Sequence, residues 1–254
     1  MPEPAAPRAP SSTPARYLFV SDVHLDAGAP EAQRQFLDFL RAQAAGARAL
    51  YILGDLFESW VGDDDAGDER AAVLAGLRAL TASGVACFLL HGNRDFLIGA
   101  DFCRQTGGQL LPDPVVAEID RERVLLTHGD ALCTDDHAYQ ELRSIVRTPS
   151  WQRRFLGLPL ADRQLLANEA RAGSRAHTAR TIPKIMDVNT AAVTAAFRAS
   201  RVRRIIHGHT HRPAVHDALV EGQPVQRIVL GAWYEQGSYL VYESGRYELR
   251  SLPR

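Results

Sequence analysis

Apolar residues come along this chain in two rhythms. Short runs at 17–19, 50–53, 85–90, 123–127 and 202–206 are rich in β-branched, aromatic and leucine side chains and close on polar residues, which predicts buried strands. Between them the spacing lengthens to that of a helix. Residues 31–45 carry Phe36, Leu37 and Leu40 on one face, and 69–82 and 188–199 repeat the period. The order strand, helix, strand, helix, strand predicts an α/β fold with parallel pairing. Residues 96–106 read as a short helix, and 115–118 and 123–127 as a hairpin-like pair around Asp120-Arg121-Glu122. The C-terminal stretches 227–230, 238–243 and 247–252 read as antiparallel strands with turns at Gly237 and Gly245.

From 135 to 186 the strand rhythm is absent and helical segments run through 139–146, 151–156 and 163–172. Between Arg143 and Lys184 the basic residues exceed the acidic ones by seven. Interleaved with them are Trp151, Phe155, Leu156, Leu158, Leu160, Leu165 and Leu166. Three readings fit this composition: a lid over an anionic, partly greasy substrate, a patch for an anionic membrane surface, or a helical hairpin packed on the core.

Composition narrows the class. The 254 residues are 46% hydrophobic and 23% charged, an ordinary globular balance, and no run is long enough to span a bilayer. The net charge of −1 argues against a general nucleic-acid binder. Cys87, Cys103 and Cys133 form no Cys-x-x-Cys pair, so neither a disulfide framework nor a zinc-thiolate site is expected. Residues 1–15 are Pro, Ala and Ser with two Arg and no apolar core, and are expected to be a disordered tail before a domain at 16–254. Lys184 is the only lysine, which suggests genome composition rather than function.

The chemistry sits where the strands stop. Gly54-Asp55 follows the second strand, Ser21-Asp22-Val23-His24 the first, His91-Gly92-Asn93-Arg94-Asp95 the third, His128-Gly129-Asp130 the run at 123–127, and His207-Gly208-His209-Thr210-His211 the run at 202–206. Strand ends at the carboxyl edge of an α/β sheet are where such folds place ligands, so one polar site at one sheet edge is expected. Asp22 and His24, two apart, would point the same way from a strand, as would His209 and His211. Asp55 alone is suited to bridge two ions. The count gives Asp22, His24, Asp55 and His211 for one ion and Asp55, Asn93, His128 and His209 for the other. Nitrogen and oxygen donors without thiolate suit Mn²⁺, Fe²⁺ or Zn²⁺, and two ions about 3.5–4 Å apart are a common device for phosphoester hydrolysis. The run Asp63-Asp64-Asp65 reads instead as a solvated loop. His91 and His207 are expected to face away from the ions, and His137, His177 and His216 to be exposed.

Asp22-x-His24, Gly54-Asp55, Gly92-Asn93-Arg94-Asp95, His128-Gly129 and Gly208-His209-x-His211 together resemble the calcineurin-like metallophosphoesterases over nearly the whole chain. The resemblance implies a four-layer α/β/β/α sandwich, here with an inserted helical lid at 135–186. In the common pattern a histidine follows the Asn. Arg94 stands there instead, a permanent cation better fitted to stabilise a phosphate than to pass a proton. Asp95 would orient a ligand or Arg94.

Residues 51–58, 91–97, 128–136, 185–189 and 207–213 are closely similar to the UDP-2,3-diacylglucosamine pyrophosphatase family. That likeness implies two Mn²⁺ ions and a peripheral place on the cytoplasmic side of a Gram-negative inner membrane. It also implies hydrolysis of UDP-2,3-diacylglucosamine at the α-phosphate, with Arg94, Asp55, Asn93 and Asp95 serving catalysis. Asn93, Arg94, Asp136, Ser174 and His209 match the family's head-group contacts. Thr178 stands where Asn is usual and Thr181 where Lys is usual, a place Lys184 or Arg180 could fill. A monomer is expected. The rivals are a hydrolase of cyclic or dinucleotide phosphates on the same fold, and a scaffold that has lost its metals. The lid speaks against the first and the full ligand set against the second.

Overall fold

The computed structural model describes residues 15–65, 67–180 and 187–253, with only the backbone of 68, 69 and 174–180. The expected tail and the segment 181–186, with Thr181 and Lys184, therefore lie outside the described residues. So do the side chains of Ser174, Thr178 and Arg180.

Strands β1 (Tyr17–Val20), β2 (Ala49–Leu53) and β3 (Ala86–Leu90) pair in parallel. Helix α1 (Pro30–Phe39, continued as a π-helical turn over Leu40–Ala44) and helix α2 (Asp68–Ala82) make the crossovers. After β3 come α3 (Ala100–Thr106) and the two-residue β4 (Gln109–Leu110). The hairpin β5 (Val115–Ile119) and β6 (Glu122–Leu126) then opens a second sheet. Helices α4 (His137–Val146), α5 (Pro149–Leu156) and α6 (Leu160–Arg180) fill the region that lacked strand rhythm. Helix α7 (Thr190–Ser200) leads back through β7 (Arg204–His207), β8 (Ala214–Val220) and β9 (Gln223–Val229). The hairpin β10 (Gly237–Glu243) and β11 (Arg246–Leu252) closes the chain. The sheet orders are β11-β10-β1-β2-β3-β4 and β5-β6-β7-β9-β8.

Strand alternation explains the layers. Along β1, Leu18 and Val20 face α1 and α2, while Phe19 faces the second sheet. In β2, Leu50 and Ile52 take the helix side and Tyr51 and Leu53 the sheet side. Between the sheets Phe19, Leu53 and Leu90 meet Val124, Leu126, Ile206 and Ile228, all buried. Leu125 and Ile205 point the other way, onto Phe197 of α7. This is the α/β/β/α order, and each fully buried Leu, Ile or Phe contributes roughly 1.5–3 kcal/mol to it.

Several expectations change. The strand ends do not share one sheet edge: β1, β2 and β3 belong to one sheet, β6 and β7 to the other, and the site lies where the two meet. The helix expected at 96–106 begins at Ala100. Strand β8 went unread because it is an edge strand, exposed over most of its length, so no apolar alternation marks it. Gly237 is the first residue of β10 rather than a turn. The three aspartates form a loop that is only partly solvated, with Asp64 exposed and Asp65 buried. Asp63 accepts hydrogen bonds from the N–H groups of Gly99, Asp101 and Phe102 at the start of α3 and from Trp60 Nε1. Asp64 pairs with the buried Arg163 of α6, and Asp65 with Arg70 of α2.

Candidate active site

The two-residue spacing of Asp22 and His24 predicts a strand. In the structure β1 stops at Val20, and both residues lie in the loop beyond it with left-handed backbone, φ 54° and 52°. Asp55, His209 and His211 share this conformation, at φ 53°, 67° and 56°. Five of the seven proposed ligands thus sit in a region that costs a non-glycine residue on the order of 1 kcal/mol or more. The surrounding structure holds them there. Asp22 N–H donates to Gly54 O (3.1 Å) and His24 N–H to Asp55 O (3.0 Å), so the first two loops run side by side. Two glycines allow the third loop to close on them. A Cβ on Gly92 would fall 2.1 Å from Asp55 Oδ1, and one on Gly54 2.5 Å from Gly92 N.

The loops bring all seven side chains together. His24 Nε2 lies 3.3 Å from His211 Nε2, and each faces Asp22 Oδ1, at 3.9 and 3.3 Å. Asn93 Oδ1 lies 2.9 Å from both His128 Nε2 and His209 Nδ1. Asp55 Oδ2 stands between the groups, 3.9 Å from His24 Nε2 and 3.7 Å from His128 Nε2, where a bridging carboxylate belongs.

The donor set fits a pair of divalent cations. Asp22 Oδ1 is buried with no hydrogen-bond donor, while its Oδ2 accepts from Ser21 Oγ (2.5 Å) and His209 N (2.9 Å). The tautomers agree. His128 Nδ1–H donates to Leu53 O (2.9 Å) and His24 Nδ1–H to Glu58 Oε2 (2.9 Å), which leaves each Nε2 lone pair aimed into the shared space. The charges press on one another. Burial would raise Asp22, yet the imidazoles of His211, His128 and His24 hold it well below the usual carboxylate range. Burial wins at Asp55, which is pushed up. Burial opposes charging His128, but Asp55, Asp22, Asp130 and Asp113 lift it to about 9. His209, buried beside the charge of His128, falls to about 3.

Asp95 is fully buried and does not touch the Arg94 guanidinium. Its carboxylate accepts from the N–H groups of Gly92 (2.9 Å), Asp55 (3.2 Å) and Leu56 (2.7 Å), which locks the bridging residue's backbone. Arg94 N–H donates to Asp55 Oδ1 (2.8 Å), and the guanidinium, partly buried, reaches Glu58 at 4.0 Å. Asp136 caps α4 by accepting from Tyr139 N (3.1 Å). His91 and His207 do face away from the ligands: His91 Nε2 meets Ile98 O (2.8 Å), and His207 lies between Gly208 O and Arg227. His137 and His216 are exposed, while the His177 side chain lies outside the described residues. Cys87, Cys103 and Cys133 form no disulfide.

Sequence reasoning missed three supporting residues. Glu58 orients His24. Asp113 accepts from Thr127 Oγ1 (2.7 Å) and His128 N (3.0 Å). Asp130 is buried and takes Tyr139 Oη (2.5 Å) and Arg143 Nε (2.8 Å), with Arg147 at 3.7 Å. Asp130 directly follows His128-Gly129, but its partners on α4 are contacts that no local pattern carries.

Beside Asn93, Arg94 and Glu58 opens a cavity of about 600 Å³. Its walls are mostly apolar: Phe96 and Leu97 below, Val146, Trp151, Phe155 and Leu166 from α4–α6 above. Arg143 and Arg147 line the end nearer the ligand cluster through their contacts with Asp130, and Arg147 also donates to Gly92 O (2.8 Å).

The sequence profile of the calcineurin-like phosphoesterases matches residues 15–213. A UDP-2,3-diacylglucosamine hydrolase of Enterobacter sp. (strain 638) is 48% identical over 236 residues, covering 93% of this chain and 98% of that protein. The protein of the same name from Stenotrophomonas maltophilia (strain K279a) is 47% identical over 244 residues, with the same coverage. A solved archaeal phosphodiesterase aligns over 93% of this chain and 99% of that one at 12% identity, with a TM-score of 0.48.

Proposed function

The chain belongs to the calcineurin-like phosphoesterases and, within them, to the UDP-2,3-diacylglucosamine hydrolase family; from that premise we propose that it cleaves the pyrophosphate of UDP-2,3-diacylglucosamine into UMP and 2,3-diacylglucosamine 1-phosphate, with two Mn²⁺ ions, at the cytoplasmic face of the inner membrane. The observation that carries the reading is the apolar cavity opening onto Asn93 and Arg94 beside the ligand cluster. A hydrolase of cyclic nucleotides has no use for such a chamber, whereas two acyl chains need one.

Asp22, His24, Asp55 and His211 would hold one ion and Asp55, Asn93, His128 and His209 the other. Bound there, the pair would supply Lewis-acid activation of water and neutralise charge on the phosphate. The chain's own residues do the rest. Water adds to the α-phosphorus and the bond from that phosphorus to the bridging oxygen breaks, leaving the oxygen on the sugar phosphate. That leaving group is a phosphate monoester, whose oxygen is only weakly basic, with a second pKa of about 6. It departs without a proton donor, which accounts for an arginine where relatives of the wider fold use histidine. Arg94, tethered through its backbone to Asp55 and through its side chain to Glu58, lies beside the cluster to stabilise the charge that builds on the phosphoryl oxygens. Asp95 acts through Asp55 and is a positioning residue. Asp136, Ser174, Thr178 and Thr181 are assigned to the head group by likeness alone.

The lid also supports the membrane location. Ile145, Leu156 and Leu165 are large and exposed on α4–α6, among Arg153 and Arg154, the mixture that seeks an anionic lipid interface. Among the described residues no helix is long and apolar enough to cross a bilayer.

The test is a product assay with purified protein, Mn²⁺ and UDP-2,3-diacylglucosamine, with a chelator control and cyclic AMP as competing substrate. UMP and lipid phosphate, lost on chelation, are expected. Turnover of cyclic AMP with none of the lipid would replace the reading with its nucleotide rival.

A further inference from the structure

The apolar cavity accounts for one half of the proposed substrate and leaves the other without a seat. It opens beside Asn93, Arg94 and Glu58 and takes no wall from the loop between β9 and β10. That loop borders Asp22, His24 and His211. Its Trp233 is buried against Phe36 and Phe39 and donates its backbone N–H to Asp22 O (3.1 Å), so the loop is pinned to the ligand cluster. The next residue, Tyr234, lies over the histidines of the first group. Its ring stacks on His24 (5.0 Å between centroids, 13° between planes) and meets His211 edge-on (5.4 Å, 67°). Tyr234 is 55% exposed, while His24 beneath it is buried.

We propose that Tyr234 is the platform on which the nucleobase of the substrate stacks. The proposal rests on the reading of the substrate as a nucleoside diphosphate lipid. The scissile pyrophosphate must reach the ligand cluster, with the acylated sugar directed into the apolar cavity. The nucleoside then extends over His24 and His211, where the exposed part of the Tyr234 ring offers an aromatic surface. One face of the ring is held by His24, so its orientation is fixed before the base arrives and little is lost in ordering it. Stacking of a base on an aromatic side chain tolerates different bases, so Tyr234 would supply affinity for a nucleotide and leave the choice of base to other groups.

The experiment compares binding of UMP and ribose 5-phosphate to the Mn²⁺-loaded full-length protein by calorimetry. The two share the charged phosphate and the ribose and differ in the base. The wild-type protein is expected to bind UMP about ten-fold or more tightly than ribose 5-phosphate. Tyr234→Ala should collapse that ratio to within about two-fold, and Tyr234→Phe and Tyr234→Trp should keep it, since the ring and not the hydroxyl is used. Mn²⁺ affinity is measured on each variant in parallel. A Tyr234→Ala protein that loses Mn²⁺ but keeps its preference for UMP would overturn the proposal and make Tyr234 a prop for His24. Equal binding of the two ligands by the wild type would overturn it as well. Lipid turnover is scored separately: a protein that turns over the lipid without preferring UMP loses the platform and keeps the substrate reading. One that prefers UMP through Tyr234 but leaves the lipid intact keeps the platform and loses the lipid.

Discussion

At the scale of the residue, the site divides into groups that the sequence announces and groups that it hides. Asp22, His24, Asp55, Asn93, His128, His209 and His211 were legible because few tasks other than metal binding place carboxylate, amide and imidazole after successive strands. Their supporters were not. Glu58 looks like any acid after an apolar pair, and its meaning is a 2.9 Å contact with a residue 34 positions away. Two predictions separate the roles. Glu58→Gln keeps an acceptor for His24 Nδ1–H but removes its charge, and should weaken Mn²⁺ binding about 10- to 100-fold in a competition titration against a chelator. Unchanged affinity would mean that packing against Tyr234 alone orients His24. Arg94→Ala should leave Mn²⁺ binding intact and lower kcat by about 10²–10³, with KM little changed, because its charge acts where negative charge develops. Steady-state kinetics that move KM alone would reassign Arg94 to ground-state binding.

At the scale of the element, the sequence predicted strands and helices well and their junctions poorly. The apolar runs fixed β1, β2 and β3, whereas the exposed edge strand β8 left no pattern to read. The left-handed backbone at five ligands was equally invisible, since nothing in Asp22 or His24 marks a positive φ. Asp130 shows how elements are then joined: it fastens α4 to the loop that carries His128. Burial opposes its ionisation, but His128, His209, Arg143 and Arg147 hold its pKa far below the usual range. The unfolded value is about 3.9, and the folded value is lower. Its stabilisation is therefore complete above about pH 5 and is lost as the pH falls through and below 4. Asp130→Asn should lower Tm at pH 7, at a cost of about 3 kcal/mol for breaking a buried charged pair, and should flatten the fall in Tm between pH 5 and 3. Thermal melts across that range check it. An equally steep acid limb in the variant would place the pH sensitivity in the ligand carboxylates instead.

At the scale of the whole molecule, the pairing of two sheets was legible only through family resemblance, because the choice of which strand neighbours which is not written in any one strand. What local patterns did show was that residues 135–186 differ from the rest, basic and apolar at once, and three readings of that stretch stayed open. The structure favours a roof over a chamber: Val146, Trp151 and Phe155 turn inward, while Ile145 and Leu165 remain exposed. If the chamber holds acyl chains, its volume should govern the lipid substrate and nothing else. Ala167 lines it from the middle of α6, a helix position where tryptophan is tolerated. Ala167→Trp would fill part of the 600 Å³ without touching a metal ligand. We expect kcat/KM for UDP-2,3-diacylglucosamine to fall by about ten-fold or more, the scale set by a few displaced methylenes at about 0.8 kcal/mol each. Hydrolysis of a small soluble phosphodiester such as bis-p-nitrophenyl phosphate should stay within about two-fold, because the chemistry of the ligand cluster is left alone. Parallel loss on both substrates would mean that the roof and the cluster are one mechanical unit, coupled through Arg147 and Asp130. Loss on neither would mean that the chains lie elsewhere, along the exposed leucines of the roof.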